Sequence, residues 1–461
     1  MKKYNVEEFG AIADGKTLCT KAVQKAVDYC HTQGGGIVRF DRGRYVLSTI
    51  YLKSNVHIEI SENVEILGSL NFYDYASQEK IDYPIYQDAS HTYFDLSMFV
   101  GRDCENISIT GKGKIDMRSV WDEDGVRGKE IVHRGPKCIA LKECQNVEIS
   151  GIEIVNVTDL AVYFAGCQNV DVHGLKMRVY IDGVSPDNSK NVRIYECDIE
   201  AGDDAIVFKS SYTLNRLDIC KDIKVWNCRL KSRCNAIKFG TETNGGFEDI
   251  HIENIKIKET RITGISIESV DGAVIDGITI KNVTMQNVNA PLFIHLGKRM
   301  RGPEGREIGR IRNITLENIT AEGPYEEYEI VPWNYSSYKR GDIRQNPKTF
   351  GIAESFDGRN QTDEWQMTSN ICGLREYPLQ NITLRNIHLK LDGGIVEYSR
   401  NVPEDAQDYP EVYVYGRILP AKGIYFRHIE GLTLEDVTVE TYRADQREDF
   451  VFEQVSGLKQ S

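Results

Sequence analysis

One short pattern recurs along the chain and constrains its fold more than any other feature. Each copy begins with an apolar strand and a small or polar turn, continues with Asn or Asp before an aliphatic residue, and ends in alternating apolar and polar residues. Where no insertion intervenes, the period is roughly 22–31 residues, a length typical of structural repeats. The copies are MFVGRDCENISI (98–109), CIALKECQNVEI (138–149), VYFAGCQNVDV (162–172), GVSPDNSKNVRI (183–194), IVFKSSYTLNRLDICKDIKVW (206–226), IKFGTETNGGFEDIHI (237–252), ISIESVDGAVIDGITI (265–280), LFIHLGK with RIRNITL (292–298, 310–316), GIAESF with PLQNITL (351–356, 378–384) and GIYFRHIEGLTL (423–434).

Repeats of this length without helical periodicity predict the coils of a parallel β-helix, in which each coil pairs only with its neighbours. The segments are short and rich in Val and Ile, and each ends at Gly, Asn or Asp. A leucine-rich repeat is the structural alternative, but the sequence lacks its Leu-x-x-Leu-x-Leu frame. We therefore expect an all-β, right-handed parallel β-helix of about ten coils, forming a single domain over residues 1–461.

Residues 1–50 are predicted to form an N-terminal cap and the first coil. After Thr20, four residues have the spacing of one apolar helix face, and the glycines at 34–36 end that helix: Val23, Ala26, Val27 and Cys30. Such a helix would cover the open end of the stack, where bare strand edges invite aggregation.

Residues 322–378 contain insertions around one coil, at 322–350 and 357–378. The insertions are rich in charged and aromatic residues, among them Tyr325, Tyr328, Trp333, Tyr335 and Trp365. Long irregular insertions in a regular scaffold are commonly binding loops, so we expect a binding element or lid here. A contact between subunits of a homo-oligomer and plain decoration are the alternatives.

Composition narrows the class of protein. The chain has 56 Lys and Arg against 69 Asp and Glu, a net charge of −13, and no basic block interleaved with aromatic residues. This argues against a nucleic-acid partner.

The sequence contains no apolar run of about 18 residues that would predict a membrane span, and its first residues, MKKYNVEEFGAIADG, do not resemble a signal peptide. The 11 cysteines show no CxxC pairing, so we expect reduced core residues in a cytoplasmic protein.

Alignment of the coils brings polar side chains together. The equivalent inward positions are Val184, Ile206, Ile237 and Ile265. Two residues before them stands a predicted stack of Asp182, Asp204, Asn235 and Thr263, with Asp203 beside it. Because adjacent strands lie about 4.8 Å apart, Asp182 and Asp204 should be immediate neighbours. The same face is expected to carry Lys238, Ser266 and Glu268, and the next coil His295.

Three carboxylates this close raise at least one of their pKa values unless a cation or solvent relieves the repulsion. Acid/base chemistry gives a reason to collect them. Glycoside cleavage needs one protonated carboxyl group to donate to the leaving oxygen and one ionised carboxylate to activate water or attack carbon. From spacing alone, a Ca²⁺ site and a solvated Asp-rich turn are the alternatives.

The segment YIDGVSPDNSKNVRIYECDIEAGDDAIVFKS (180–210) resembles the signature region of the polygalacturonases, glycoside hydrolase family 28. The resemblance covers most of the chain and begins with FGAIADGKTLCTKAVQKAV and GGGIVRFDRGRYVLSTIYLKSNV. It implies a parallel β-helix and inverting hydrolysis without a metal or other cofactor. Asp203 would be the general acid, and Asp182 and Asp204 would share water activation. Ile181 stands where the family has Thr, and Lys209 follows the Asp pair as it does in the family.

Two further family motifs differ here. The His of Gly-His-Gly is replaced by Asn235, and the cations of Arg-Ile-Lys, which grip the substrate carboxylate in polygalacturonases, are replaced by Ser266 and Glu268. Ser and Glu suit hydroxyl recognition. Other cations could rebuild a positive site or be ordinary surface charges: Arg233, Lys238, Lys298, Arg299 and Arg301.

The remaining candidates are a histidine and some aromatic residues. His295 is expected beside the cleft and His173 is expected to be structural. Tyr163 and Trp121 could stack on sugar faces, and Trp121 could equally be core.

The sequence thus predicts an inverting, exo-acting hydrolase of pectin-derived oligosaccharides, such as galacturonides or rhamnogalacturonan fragments. The predicted substrate-binding residues are Lys209, Asn235, Lys238, Ser266, Glu268 and His295. A β-helix polysaccharide lyase, which would need Ca²⁺ and a basic residue beside the uronate, is the enzymatic alternative. A non-catalytic carbohydrate-binding β-helix is the alternative from another class.

Overall fold

A computed structural model describes residues 1–121, 134–323, 366–404 and 409–461. The ladders between its strands are parallel, and the strands succeed one another at the period of the sequence repeat. The helical elements are α1 (Thr20–Thr32) and 3-10 turns at Val6–Phe9, Phe72–Asp74 and Ala89–His91. The strands are β1 (Lys3–Asn5), β2 (Asp14–Leu18), β3 (Gly36–Phe40), β4 (Gly43–Leu47), β5 (Ile50–Tyr51), β6 (Val56–Ile60), β7 (Val64–Gly68), β8 (Ser97–Arg102), β9 (Glu105–Gly111), β10 (Lys114–Asp116), β11 (Lys137–Lys142), β12 (Gln145–Ser150), β13 (Glu153–Val155), β14 (Val162–Ala165), β15 (Gln168–His173), β16 (Lys176–Val179), β17 (Val184–Asp187), β18 (Lys190–Tyr195), β19 (Asp198–Ala201), β20 (Ile206–Ser210), β21 (Ile219–Trp226), β22 (Arg229–Ser232), β23 (Asn235–Thr243), β24 (Gly246–Ser269), β25 (Val274–Leu296), β26 (Arg310–Glu322), β27 (Ser369–Cys372), β28 (Leu379–Gly393), β29 (Ala421–Arg443), β30 (Glu448–Ser456) and β31 (Lys459–Gln460).

Each coil contributes strands to three parallel sheets, which we call faces 1, 2 and 3. Face 1 begins with β1, β3 and β6, and face 2 with β2, β4 and β7. Face 3 begins with β5 and β8, and the long strands β24, β25 and β29 bend around corners to serve more than one face. The expected right-handed parallel β-helix is confirmed.

Face 3 carries the candidate site and has twelve strand segments in the described residues, against the expected ten or so coils. In order they are β5, β8, β11, β14, β17, β20, β23, the last part of β24, the last part of β25, β27, the first part of β29, and β30. The stack therefore extends past the last sequence copy, because β30 adds a further rung to β29.

One predicted coil boundary is wrong. The segment 357–378 was predicted to be an insertion, but β27 lies within it and pairs with β25 and β29 on face 3. Ile371 of this strand is fully buried in the main core, which accounts for its place in the ladder. The predicted strand GIAESF (351–356) lies outside the described residues, as do Tyr325, Tyr328, Trp333, Tyr335 and Trp365.

The core is one continuous apolar column inside the coils. Inward Ile, Val and Leu residues from successive coils stack on one another, as Ile194, Val225 and Ile252 do on face 1. All 11 cysteines are buried and free, which agrees with the expectation of packed thiols.

Asparagines at the corners explain the Asn that recurs in each sequence copy. The side-chain amide of Asn169 donates to Asn146 at 2.9 Å, and that of Asn191 donates to Asn169 at 2.6 Å. These residues have φ of 53–56°, a left-handed conformation that Asn tolerates better than most residues. The ladder therefore pairs side chains at a turn whose backbone already favours Asn.

The N-terminal helix has the predicted position and buried face. It runs from Thr20 to Thr32, and its buried residues are Val23, Ala26, Val27 and Cys30. Their side chains join the main core with residues of β1 and β3, so α1 covers the first coil. Gly34 and Gly35 follow it with φ of 88° and 101°, which ends the helix. None of the described helices is long and apolar enough to cross a membrane.

Candidate active site

The three predicted catalytic carboxylates lie at the corner where the chain passes from face 2 into face 3. Asp182 stands between β16 and β17, and Asp203 and Asp204 stand between β19 and β20. Each residue offers a carboxylate oxygen, and these three atoms lie within 4.8 Å of one another. We call these three residues the carboxylate triad.

Strand register confirms the predicted stack. The inward positions pair in the predicted order, Val184, Ile206, Ile237 and Ile265. The Asp204 N–H donates to Oδ1 of Asp182 at 3.2 Å, and the Asn235 N–H donates to Oδ1 of Asp204 at 3.1 Å. Asn235 in turn pairs with Thr263. The neighbouring coils therefore place these four residues in one column.

Burial raises the pKa values of two members of the triad, Asp182 and Asp204. Asp182 is 3% exposed and Asp204 is 4% exposed, whereas Asp203 is half-buried. Burial and, secondly, the charge of Asp203 raise the pKa of Asp182 to about 6. Burial also holds the pKa of Asp204 well above that of an exposed aspartate, although the nearby charge of Lys238 opposes the shift. A carboxyl group with the pKa of Asp182 can exchange protons near neutral pH.

A histidine that the sequence did not single out, His91, precedes β8, and its charge acts on Asp182 of the triad. His91 Nδ1 lies 2.7 Å from Oδ1 of Asp88, and its Nε2 is buried with no hydrogen-bond partner in the described residues. Burial lowers the pKa of His91, but the charge and hydrogen bond of Asp88, together with the charge of Glu242, raise it by more, so that the net shift is upward. The charges of Lys209, His91 and Arg134 all lower the pKa of Asp182.

Lys209 binds a glutamate and not the triad itself. Its Nζ lies 2.8 Å from Oε2 of Glu242, and both side chains are buried. Arg301 also donates to Glu242, at 2.9 Å. Lys209 therefore acts on the triad through space, where its charge lowers the pKa of Asp182.

Beside the triad lies a second cluster, which we call the Lys238 group: Asn235, Lys238, Ser266, Glu268 and Glu411. Lys238 Nζ contacts Oε1 of Glu411 and lies 3.7 Å from Oε1 of Glu268. The Ser266 hydroxyl donates to Glu268 Oε1 at 2.6 Å. The Asn235 amide donates to Asp204 at 2.8 Å and to Glu411 at 3.4 Å. The structure thus brings together four predicted residues and adds Glu411.

Glu268 is fully buried in this group. Burial and the neighbouring charge of Glu411 raise its pKa to about 8, and the charge of Lys238 opposes that rise. Three acceptor atoms of the group are buried without a hydrogen-bond partner in the described residues: Asn235 Oδ1, Glu268 Oε2 and Glu411 Oε2.

The other predicted cations have different surroundings. Arg299 makes two hydrogen bonds to Asp271, at 2.9 and 2.5 Å, and one to the Thr241 carbonyl at 2.7 Å. Arg233 is buried, and Lys298 is exposed. Arg301 forms an ion pair with Glu242, so the charges of both Arg299 and Arg301 are balanced by acidic residues of the same protein.

His295 lies one coil beyond Glu268, as predicted, and pairs with it in register. Its ring stacks on Phe293, and Nδ1 lies 3.3 Å from the Tyr415 hydroxyl. Burial lowers its pKa to about 4, so the ring is neutral at neutral pH. His295 therefore packs in an apolar cluster next to the Lys238 group.

The remaining aromatic candidates have no open face for a sugar. Tyr163 is fully buried, its ring stacks on Phe94, and its hydroxyl donates to the His91 carbonyl at 3.0 Å. Trp121 is buried edge-on to Tyr180, which agrees with its core alternative. His173 stacks on Tyr195 on the outer surface, a structural role as expected.

Loops outside the coils form walls on both sides of the triad. The N-terminal wall (residues 69–96) brings Phe94 into an apolar cluster with Leu160 and Tyr163. The C-terminal wall (residues 394–420, except 405–408) packs on the outer side of face 3 through Val412, Val414, Tyr415 and Leu419. His91 comes from the first wall and Glu411 from the second. The triad consequently lies between them.

Within the part of the chain that the structure describes, two groups of side chains have ligand atoms close enough to hold a metal ion. One is the carboxylate triad, and the other is Asp88, His91 and Glu242. In the second group, Glu242 already binds two cationic side chains and Asp88 binds His91 Nδ1. In the triad, Asp204 accepts from Asn235. The acids of the second group are therefore already paired with cationic side chains or with His91.

The family model for glycosyl hydrolases family 28 matches residues 39–331, more than half of the chain and all of the triad. The chain belongs to this family. It is therefore a glycoside hydrolase that acts on O-glycosyl bonds. The family 28 motifs of the sequence coincide with the corner of face 3 at which the carboxylates meet.

Sequence relatives and solved structures agree with this assignment. The chain is 24% identical over 399 residues to a probable polygalacturonase of Vitis vinifera, covering 83% of this chain and 73% of the relative. It is 25% identical over 302 residues to an exo-poly-alpha-D-galacturonosidase of Dickeya chrysanthemi, covering 55% of this chain and 50% of the relative. An exopolygalacturonase structure from Thermotoga maritima has the same fold, with a TM-score of 0.68 at 18% identity over 95% of this chain and 92% of the other.

Sequence reasoning missed His91, Asp88, Arg134, Glu242 and Glu411. Four of them lie outside the copies of the repeat or at their edges, where no periodic position marks them. Glu242 does lie within a copy, in GTETN after β23's apolar residues, and its place beside Lys209 on the neighbouring coil was a usable signal.

Proposed function

We propose that this family 28 enzyme is an inverting, exo-acting hydrolase of pectin-derived oligosaccharides. The observation that carries the proposal is the carboxylate triad, whose oxygens lie within 4.8 Å of one another between two loop walls. Loops on both sides of the triad suit the end of a chain better than the middle of a long polymer. The names of the Dickeya chrysanthemi and Thermotoga maritima relatives, an exo-poly-alpha-D-galacturonosidase and an exopolygalacturonase, support the same proposal.

In this mechanism Asp203 donates a proton to the leaving oxygen, and Asp182 and Asp204 activate the attacking water. Asp203 is the half-buried member of the triad, so a glycosidic oxygen can reach it. Asp182 and Asp204 are joined by the Asp204 N–H and lie on adjacent coils, a geometry that can hold one water between two carboxylates. Asn235 donates to Asp204 and thereby favours its acceptor role.

The stereochemical outcome is the sharpest test of this assignment. Inverting enzymes commonly separate their two carboxyl groups by about 6.5–9.5 Å and retaining enzymes by about 5–5.5 Å. The triad oxygens are closer than either spacing. Inversion is what the resemblance to polygalacturonases implies, and it predicts that the first product anomer has the opposite configuration to the substrate.

The experiment combines a substrate screen with stereochemistry. Aryl galacturonide, rhamnoside, galactoside and xyloside and a set of pectic oligosaccharides are incubated with the protein, and NMR follows the first anomer released. We expect monosaccharide or disaccharide release from chain ends with inversion. Initial retention would contradict the mechanism, a random ladder of products from a long polymer would contradict exo-action, and unsaturated products would indicate a lyase. Glycan binding without cleavage, unchanged in Asp203→Asn, would indicate a binding protein.

A further inference from the structure

The Lys238 group has more buried acceptor atoms than donors to satisfy them. Asn235 Oδ1, Glu268 Oε2 and Glu411 Oε2 are shielded from solvent, and none of them has a hydrogen-bond partner among the described residues. Buried polar atoms in folded proteins are almost always hydrogen-bonded. Three unsatisfied acceptors in one cluster therefore point to a ligand that supplies donors.

The charges of the group exclude an anion more strongly than they attract one. A single lysine, Lys238, serves two buried glutamates, contacting Glu411 and lying 3.7 Å from Glu268. A carboxylate placed here would bring only acceptor atoms, and its negative charge would add to that of Glu411, which already contacts the one lysine of the group. Like charges in a desolvated site repel strongly because little water screens them.

Cations around the group are already held by acids of the same protein. Lys209 and Arg301 bind Glu242, and Arg299 binds Asp271 through two hydrogen bonds. Because these acids already balance their charges, the three cations attract a uronate less than unpaired cations would. A neutral ligand does not depend on that attraction.

The group is continuous with the reacting carboxylates. The Asn235 amide donates to Asp204 at 2.8 Å and to Glu411 at 3.4 Å, so one side chain touches both clusters. Thr263, the register neighbour of Asn235, has a further buried hydroxyl without a partner among the described residues. The group is therefore the immediate neighbour of the triad on the following coils.

We infer that the Lys238 group is a subsite for a neutral sugar unit, whose hydroxyls donate to Asn235 Oδ1, Glu268 Oε2 and Glu411 Oε2, and that it disfavours a uronate there. This inference rests on the proposed function and specifies its substrate. A sugar hydroxyl both donates and accepts, so it satisfies Glu268 whether or not that carboxyl is protonated. A site built to bond hydroxyls discriminates well against ligands that lack them in the right place.

The probes are the four α-1,4-linked disaccharides in which galactose and galacturonic acid occupy the two positions in all combinations. Galactose and galacturonate differ only at C6, so each comparison changes one group at one position. Initial cleavage rates are measured for the wild type, and binding of the same four probes to Asp203→Asn is measured by calorimetry. We expect galactose to be preferred over galacturonate at one of the two positions by at least about tenfold.

Variants of the Lys238 group test whether this group causes the preference for galactose over galacturonate. Glu268→Lys introduces a cation, and we expect it to reduce the preference to near unity or reverse it. Glu411→Gln keeps the size of the side chain and removes one charge, and we expect a severalfold smaller preference. Glu253→Gln is the matched control, because Glu253 pairs with Lys281 on the outer surface at 3.0 Å. The ratio between two probes does not depend on the folded fraction of a variant, so reduced stability cannot imitate the result.

The outcomes separate this inference from the proposed function. Neutral preference in binding without cleavage of any probe supports the inference and contradicts the proposed hydrolysis of such linkages. Cleavage with galacturonate equal or preferred at both positions overturns the inference and leaves hydrolysis intact. A neutral preference unchanged in both Glu268→Lys and Glu411→Gln overturns the inference as well, since another site would then be responsible. No binding and no cleavage would overturn both.

Discussion

The two halves of the cleft, the carboxylate triad and the Lys238 group, are built in different ways. The triad comes from two consecutive coils, and its members occupy the same corner, so strand register places them. The Lys238 group takes one of its acids from the C-terminal wall, and Glu411 meets Lys238 across 173 residues of sequence. The repeat thus supplies the reacting groups, whereas a loop outside the repeat completes the neighbouring subsite.

Their electrostatics differ as well. In the triad, the cations that oppose the raised pKa of Asp182 act from a distance: Lys209, His91 and Arg134. In the Lys238 group the cation is in direct contact with Glu411. The first arrangement leaves protons free to move, as acid/base chemistry requires, and the second fixes charges in place, as recognition requires.

The largest effect is expected from breaking the triad. Asp203→Asn removes the proposed proton donor with little change of shape, and the initial hydrolysis rate should fall about 10²–10⁴-fold, the usual contribution of general acid catalysis. Asp198→Asn is the control, since Asp198 lies on the same coil and pairs with Arg229 on the outer surface at 2.8 Å. Equal hydrolysis rates for Asp203→Asn and Asp198→Asn would show that Asp203 is not the proton donor.

Breaking the Lys238 group should instead affect stability most. Lys238→Met leaves Glu268 and Glu411 buried without their cation, and the free energy of unfolding at pH 8 should fall by about 3–5 kcal/mol, as when one partner of a buried pair is removed. Lys281→Met removes an exposed pair with Glu253 and should cost at most about 1 kcal/mol. Denaturant titration measures both. A similar loss in the two variants would contradict the buried pairing.

The pH dependence of stability sharpens the comparison. The pKa of Glu268 is raised to about 8 in the folded protein, so its contribution to stability is fully present below the unfolded value and is lost as pH rises towards and through 8. Between pH 5 and 8, this loss amounts to up to about 3 kcal/mol. Glu268→Gln cannot ionise, and its free energy of unfolding should fall less over that range. If the wild type and Glu268→Gln show parallel pH profiles, Glu268 does not carry the raised pKa.

The smallest effect should appear in the pH profile of activity. Asp182 and Asp204 must be ionised to activate water, and both pKa values are raised, so activity should rise with pH over a range that begins near the value of about 6 for Asp182. The charge of His91 lowers the pKa of Asp182, and His91→Gln should therefore move this acid limb upward by a fraction of a pH unit. His173→Gln, on the outer surface beside Tyr195, should leave the limb in place. A shift to lower pH in His91→Gln would contradict the assignment.

Much of the fold was predictable because its rules are local. Alternation with a period of two marks the strands, and the corner Asn fits a left-handed backbone that recurs once per coil. The error at β27 occurred where an insertion interrupts the repeat, so that two short apolar segments competed for one place on face 3. The local sequence pattern does not show which of two such segments joins face 3. In the folded protein β27 occupies that place, because its Ile371 is buried in the continuous core.

The sequence by itself determined the β-helix, the position of the triad and the loss of the usual cation pair at Ser266 and Glu268. The first two follow from register, because equal positions on neighbouring coils must become neighbours in space, and the third follows from the resemblance to polygalacturonases. Only the tertiary structure decided that the charge of His91 acts on Asp182, that Glu411 contacts Lys238, and that Glu268 has a raised pKa. The physical reason is that loop contacts over long separations have no period, and a pKa depends on burial and on charges that arrive from other parts of the chain.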